Sequence, residues 1–269
     1  MTPAGSPPPR YSSFNTDQPS ALVIGHERSG NHFLMNTLAR AYGYIAEPWF
    51  NIDLIPHPIN YFQPQSLQRL LMGAGNSRIA NIGKSHHSVE FFAPILKSLQ
   101  QRFVIFYVHR DPVDVILSYW RFIDRWQWRE GPRRDNPIDF ALAEPEGQML
   151  RYQMHQRRNL LDRWAAHVEG WLAGAADQQR MVLVAYRDLK DRYAATAEGF
   201  ARLLGEPPRN LTPPSRSRNV ISGSDRPMTE QEKMALRQIA VAEVGATMRK
   251  LGYLEPETDA ARPPAAAQS

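Results

Sequence analysis

A short apolar run, Ala21 to Ile24, is followed by Gly25-His26-Glu27-Arg28-Ser29-Gly30-Asn31-His32-Phe33, which joins two glycines to a cluster of hydrogen-bond donors. Gly25 and Gly30 permit a tight loop. The main-chain N–H groups from Ser29 onward open a helix whose positive end faces the strand tip, a place that welcomes an anion. Arg28 adds a fixed charge on a planar fork, and Ser29, Asn31 and His32 add side-chain donors. The Gly-Lys-Ser/Thr ending of a nucleoside-triphosphatase loop is missing, and glycine spacing alone also suits a plain strand-to-helix turn with a surface arginine. A second strand tip follows the run Phe103 to Val108. There Asp111 is placed to cap a helix, Pro112 takes its first position and Asp114 sits three residues beyond the cap. Arg110 at that tip either grips an anion or pairs with Asp111 or Asp114 on the surface.

The elements that position these residues follow from hydrophobic period. Ala21 to Ile24, Phe103 to Val108 and Met181 to Ala185 are each followed by a polar turn and a segment of helical period. That rhythm predicts an α/β fold, a three-layer α/β/α arrangement around a central parallel sheet, with the turn after the first strand resembling a P-loop. Phe33, Leu34, Leu38, Ala41 and Tyr42 form one helix face, Trp164, Val168, Trp171 and Leu172 another, and Thr229 to Leu251 reads as a closing helix. Ligands in such sheets bind at the carboxyl ends of the strands, so the informative residues belong to the strand-to-helix turns. Residues 1–20 and 254–269, rich in proline, are expected to be disordered tails, leaving one domain over residues 21–253.

Composition narrows the chemistry. The chain has 269 residues, 42% hydrophobic and 22% charged, which is ordinary globular usage. Its net charge of +5 suits an anionic partner. With Cys at 0, a disulfide framework, a thiolate metal site and a cysteine nucleophile are all excluded. No run approaches the roughly 18 consecutive apolar residues of a membrane helix, and no secretory signal is visible, so stable membrane insertion is not expected and a cytoplasmic location is.

Five segments in order, spanning Ala21 to Tyr253, resemble sulfotransferases that use 3′-phosphoadenosine 5′-phosphosulfate (PAPS). Glu27 to Phe33 is similar to the family's Pro-Lys-Ser-Gly-Thr-Thr-Trp loop, and Lys84-Ser85-His86 to its Lys-x-His segment. His109 to Asp114 with Ser118 and Tyr119 resembles the Arg-Asn-Pro-x-Asp element. Trp164 to Leu172 followed by Val182 to Lys190 resembles the Trp-rich helix and the Tyr-Glu-Asp-x-Lys strand end. Arg218-Asn219-Val220-Ile221-Ser222-Gly223 is similar to the Arg-Lys-Gly-x-x-Gly loop. The resemblance implies that PAPS is the donor and that no metal is required. It further implies that Arg28, Ser29, Gly30, Asn31, His32 and Phe33 hold the 5′-phosphosulfate, that Arg110 and Ser118 hold the 3′-phosphate, that Arg218 and Asn219 close over it, and that His86 is the catalytic base. Arg28 stands where the family commonly has Lys. A guanidinium serves as an electrostatic clamp but does not give up a proton, so Lys84 becomes the candidate for donation to the leaving oxygen.

On this reading the acceptor is a small-molecule or carbohydrate hydroxyl, less readily an amine, with Pro48 to Pro64 and Arg121 to Met149 as candidate walls of its pocket. His87 adjoins His86, and neighbouring side chains point different ways, so one of the two faces the acceptor. Tyr186, Asp188 and Lys190 are expected to end a strand and start a helix, outside the site. Tyr119 to Arg134 interleaves Trp120, Trp126 and Trp128 with arginines, read first as an amphipathic helix with a buried tryptophan face and second as a lid. Two rival functions remain at this stage. A P-loop nucleoside-phosphate kinase needs Mg²⁺ and a Lys-Ser/Thr pair that the loop lacks. A non-catalytic nucleotide- or nucleic-acid-binding protein needs a concentrated basic face, whereas the basic residues here are dispersed, so no nucleic-acid partner is expected.

Overall fold

The computed structural model of the chain describes residues 18–47, 49–53, 63–74, 81–126, 130–176, 179–215 and 223–255. Most of the two expected tails, and with them Arg218, Asn219 and Trp128, lie outside the described residues.

The three apolar runs are strands. β1 (Ser20–Ile24) leads into α1 (Asn31–Tyr42), and two strands that the apolar runs did not reveal come next, β2 (Phe50–Asn51) and, after α2 (Pro64–Ala74), β3 (Ile82–Ser85). Two 3-10 turns and α3 (Leu96–Leu99) precede β4 (Phe103–His109), which runs into α4 (Pro112–Arg125). Then come α5 (Pro137–Leu142), a 3-10 turn at Gly147–Tyr152, α6 (Leu160–Ala175) and β5 (Met181–Ala185). α7 (Tyr186–Asp191), α8 (Tyr193–Glu198), α9 (Ala201–Leu204) and the closing α10 (Glu230–Lys250) complete the described chain. The short β2 and β3, with polar or glycine residues in Phe50-Asn51 and Ile82-Gly83-Lys84-Ser85, carry too little apolar signal to be read alone.

The five strands form a parallel sheet in the order β2-β3-β1-β4-β5. Side chains alternate across it as the period of two requires. Leu22, Ile24, Phe103, Ile105 and Tyr107 join a core with α2, α3, α4, α5, α6 and α10. Ala21, Val23, Val104, Phe106 and Val108 join the opposite core with α1, α7, α8 and α9. β1 and β4 are buried along their whole lengths, as befits a sheet covered on both faces.

Local signals set the helix starts. The Asp111 carboxylate accepts from Val113 N at 2.9 Å, and Pro112 opens α4. Thr229 and Glu232 form a reciprocal capping box at the start of α10, which breaks its helical geometry at Val244. One expectation is corrected: Tyr119 to Arg134 is not a single helix. α4 ends at Arg125, Trp126 turns extended, and the returning chain brings the Arg134 carbonyl to accept from Trp120 Nε1 at 2.9 Å. Trp120 is buried as expected, but under this return rather than on a continuous face.

Because chain order sends the connection from β1 to one side and that from β4 to the other, the tips of these adjacent strands flank the crevice where a doubly wound sheet binds ligand. Their closeness depends on Gly25, where a Cβ would lie 2.5 Å from the Val108 carbonyl oxygen and 2.8 Å from Val108 Cγ1. Main chain cannot yield there. Gly25→Ala is expected to cost about 1–3 kcal/mol through overpacking, measurable as a lowered urea midpoint at unchanged slope.

Candidate functional site

Past Gly25 the chain makes two left-handed turns, Arg28 at φ 65° and Gly30 at φ 112°. The first suits few residues with a side chain. The second needs glycine twice over, because a Cβ on Gly30 would also run into the Tyr186 ring. Gly30 is the N-cap of α1 without a side-chain cap, and Leu34 is the first residue to donate within the helix, to the Gly30 carbonyl at 3.1 Å. The amides of Asn31, His32 and Phe33 therefore precede the helical ladder. The Ser29 hydroxyl is buried and meets no partner among the described residues.

Arg28 and Arg110 come together at this turn. Arg28 Nε donates to Ser118 Oγ at 3.0 Å, and its guanidinium lies over the Phe122 ring, 4.8 Å from the centroid. Arg110 Nη1 reaches the Arg28 carbonyl at 3.5 Å, and its guanidinium stacks over Tyr186 at 4.7 Å. Burial and the neighbouring Arg110 charge pull Arg28 down to about 10. Two cations held this close favour an anion between them. Arg110 also pairs with Asp114 at 3.2 Å, so the surface partner read from the sequence is present too.

On the other side of β1, the end of β3 brings up Lys84 and His86. His86 Nδ1 lies 2.7 Å from the Gly25 carbonyl oxygen. A carbonyl only accepts, so Nδ1 carries the proton and Nε2 keeps its lone pair. The Asp53 carboxylate accepts from the His86 amide at 2.9 Å and from Lys84 Nζ at 2.6 Å. Burial, then the Lys84 charge, hold His86 down to about 3, against the upward pull of Asp53 and Glu27. His87 is buried, pairing with Ser85 Oγ at 2.9 Å, with its Nδ1 3.6 Å from Asp53 Oδ1 and its ring edge-on to Phe91 and Tyr152. His167 of α6 donates from Nε2 to the His86 carbonyl at 3.0 Å and accepts from the Tyr107 hydroxyl at 2.9 Å.

Beneath the loop lies a polar layer that the sequence did not announce. Arg163 of α6 grips Glu27 with two bonds of 2.9 and 2.7 Å, and Tyr119 donates to the same carboxylate at 3.1 Å. Burial opposes the Glu27 charge, but Arg163 and then His26 outweigh it and hold the carboxyl well below its usual range. Arg163 also donates to His26 Nε2 at 2.7 Å.

The structure thus gathers Arg28, Ser29, Gly30, Ser118, Arg110, Lys84 and His86 around the tips of β3, β1 and β4. His32 sits edge-on to Trp49, with ring centroids 5.0 Å apart, and its buried Nδ1 has no partner among the described residues. Burial, with Lys84 and Arg28 nearby, lowers it to about 4. Asn31 turns its amide inward to the Ser85 carbonyl at 3.2 Å, and the Phe33 ring packs in the core against Tyr186, so Phe33 has only its main-chain N–H to offer a ligand. Three features went unread. Asp53 lay unremarked in the Pro48 to Pro64 segment, Glu27 and Arg163 are 136 residues apart in sequence, and Tyr186, expected only to end a strand, props Gly30 and underlies Arg110. Among the described residues, no group of three or more His, Asp or Glu is arranged to hold a metal ion.

A model of the sulfotransferase domain matches residues 21–250, most of the chain. No curated protein sequence matches significantly. Among solved structures, mouse sulfotransferase SULT7A1 complexed with PAP is similar with a TM-score of 0.52 and 12% identity, over 87% of this chain and 88% of that one. Retinol dehydratase in complex with androsterone and inactive cofactor PAP gives 0.47 and 14%, over 85% and 66%. A sulfotransferase from Alicyclobacillus acidocaldarius gives 0.46 and 14%, over 87% and 96%. The first of these likenesses supports the fold.

Two stability predictions follow from the polar layer. Arg163→Met leaves the Glu27 carboxylate buried and uncompensated, with an expected loss of about 3–5 kcal/mol by chemical denaturation. The buried histidines set the acid behaviour. Burial lowers His26 and His109 to about 4, His86 to about 3 and His167 well below its ordinary value. The unfolded chain therefore binds more protons than the folded one below pH 6.5, and each such histidine removes up to about 1.4 kcal/mol per pH unit. Melting temperature is expected to fall steadily from pH 6.5 to 4.5, and a flat profile over that window contradicts neutral burial.

Proposed function

We propose that this chain, which belongs to the sulfotransferase domain family, transfers the sulfuryl group of PAPS to a hydroxyl acceptor, with His86 as the general base. The observation that carries the reading is the 2.7 Å contact between His86 Nδ1 and the Gly25 carbonyl. It fastens the imidazole to the first residue of the anion-binding turn and leaves Nε2 with its lone pair beside that turn.

The residues present suit the donor. Arg28, the buried Ser29 hydroxyl and the first amides of α1 would hold the 5′-phosphosulfate, and Arg110 with Ser118 the 3′-phosphate. When bound, PAPS supplies an activated sulfuryl group whose bond to the 5′-phosphate oxygen breaks, leaving the electron pair on that oxygen, as the bond from sulfur to the acceptor oxygen forms. His86 Nε2 takes the acceptor's proton as its oxygen attacks. Depression to about 3 keeps the imidazole unprotonated at neutral pH. Arg28 neutralises charge on the departing oxygen without releasing a proton. Lys84, one residue from the end of β3 and held by Asp53, is the group that donates there. The chain's residues do this by position and charge, the same demands that phosphoryl transfer makes.

The acceptor, on this reading, is a small-molecule or carbohydrate hydroxyl, and transfer needs no metal. A cytoplasmic location agrees with the absence, among the described residues, of any helix long and apolar enough to cross a membrane.

Isothermal titration with PAP, followed by labelled PAPS against a panel of phenols, sterols, aliphatic alcohols and sugars, tests the assignment. Label transfer is expected to persist in excess EDTA and to be indifferent to ATP. His86→Ala is expected to lower kcat by about 10²- to 10⁴-fold while PAP affinity stays within threefold of wild type, roughly the error of such comparisons. Near-normal turnover in that variant refutes His86 as the base.

A further inference from the structure

Asp53 directly follows β2 and its one-residue extension, and is 5% exposed. Its two oxygens divide their work between different groups. Oδ2 accepts from Lys84 Nζ at 2.6 Å and lies 3.8 Å from His86 Nε2. Oδ1 accepts from the His86 amide at 2.9 Å and lies 3.6 Å from His87 Nδ1. We propose that Asp53 is a positioning residue for sulfuryl transfer: one buried carboxylate that holds Lys84 and His86 in register and stabilises the imidazolium formed when Nε2 takes the acceptor's proton. The inference rests on the sulfuryl-transfer reading above and assigns a role that reading does not contain.

The geometry separates holding from blocking. At 3.8 Å the Asp53 oxygen is beyond hydrogen-bond range of Nε2, so the lone pair stays available to the acceptor hydroxyl. It is still within coulombic reach when the ring gains a proton. Lys84 has a flexible four-carbon stem, and the 2.6 Å bond fixes its ammonium where a freely rotating one would spend little time. The His86 main chain is pinned twice, by Asp53 at its N–H and by His167 at its carbonyl, so the ring's place follows from β2, β3 and α6 together.

Charge explains why a carboxylate is needed. The groups that face His86 are Lys84 from β3, Asp53 after β2, Glu27 from the turn after β1, His167 from α6 and the Tyr152 ring, 5.6 Å away edge-on. Lys84 opposes imidazolium formation, while Asp53 and then Glu27 favour it. Both carboxylates are paired, Glu27 with Arg163 and Asp53 with Lys84, and of the two it is Asp53, 3.8 Å from Nε2, that pulls harder on the ring. Asp53 is itself held ionised, since Lys84 and the two histidines outweigh its burial. In a hydrolase triad the carboxylate bonds the far N–H of the imidazole and is worth up to about 10⁴-fold in turnover. Here the Gly25 carbonyl takes that N–H and Asp53 acts on the ring through charge from the Nε2 side, so a smaller effect is expected.

The test is Asp53→Asn in the full chain, which keeps the shape and the acceptor for the His86 amide but removes the charge. The measurements are PAP affinity by titration, and label leaving PAPS for the best acceptor of the panel or for water, followed against pH. The expected result is a kcat lower by at least about 100-fold at every pH where the protein is folded, with PAP affinity and the acceptor KM within about threefold of wild type, because the charge acts on the imidazolium formed in the reaction and not on the ground-state complexes. A purely structural role predicts instead weaker PAP binding and a raised acceptor KM alongside any loss of kcat, and that outcome, or an unchanged kcat, overturns the proposal. If the lone ammonium prevents folding, the same substitution is made in Lys84→Met, where both charges are gone. There a further loss of about tenfold is expected through His86, and a double variant equal to Lys84→Met overturns the proposal. Wild-type protein that binds PAP but releases no label to any acceptor or to water counts against sulfuryl transfer itself, so the two failures are told apart.

Discussion

The main chain at the end of the central strand is the constraint on which the rest depends. β1 lies between β3 and β4, and its pairing places Ile24 opposite both Ser85 and Tyr107. The next residue, Gly25, is pressed so closely on Val108 that no side chain fits, and its carbonyl receives His86 Nδ1. Parallel registry therefore delivers the turn after β1, the Lys84 and His86 pair and the Arg110 tip to one edge of the sheet. Little further geometry is required, because strands that end level present their following turns side by side. Asn31 strengthens the arrangement by reaching back from the first turn of α1 to the Ser85 carbonyl.

Charge is arranged in layers around that edge. Arg28 and Arg110 lie outermost, each against an aromatic ring, and Lys84 stands on the β3 side. Behind them are carboxylates, each already committed to a cation: Glu27 to Arg163, and Asp53 to Lys84. The inner acids are thus matched by cations of their own, and Arg110 also pairs with the surface carboxylate of Asp114. Buried ion pairs are costly to desolvate and contribute little net stability, so their value here is in fixing position. Glu27 shows this most clearly. It adjoins Arg28, whose positive φ is sustained only if the residues around it are held. Arg163 and Tyr119 hold them from two different helices.

The buried imidazoles complete the picture. His26, His86 and His167 are all pushed down by burial, and each places its ring proton against a fixed acceptor. His26 Nδ1 faces the Glu27 carbonyl, His86 Nδ1 the Gly25 carbonyl, and His167 Nε2 the His86 carbonyl. Neutral rings with assigned tautomers act as connectors between main-chain segments, and of the three it is His86 whose second nitrogen is left without a hydrogen-bond partner among the described residues.

By itself the sequence determined the features that local chemistry encodes. The strands Ala21 to Ile24 and Phe103 to Val108 declared themselves by unbroken apolar runs, the start of α4 by Asp111 and Pro112, and the tight turn after β1 by Gly25, Arg28, Ser29 and Gly30. The order of five segments gave the family. The roles of Lys84 and His86 came from that resemblance alone, because a four-residue strand of mixed polarity has no readable period. Only the tertiary structure decided which distant side chains would meet. Asp53 carries no motif, and it joins Lys84 and His86 because β2 pairs with β3. Arg163 reaches Glu27 because α6 packs beneath the turn after β1, and Tyr186 underlies Arg110 because β5 pairs with β4. Pairing across the sheet and packing through the core act over separations that no local pattern records, so the donor-rich turn was legible from residues and the carboxylate beside Lys84 and His86 was not.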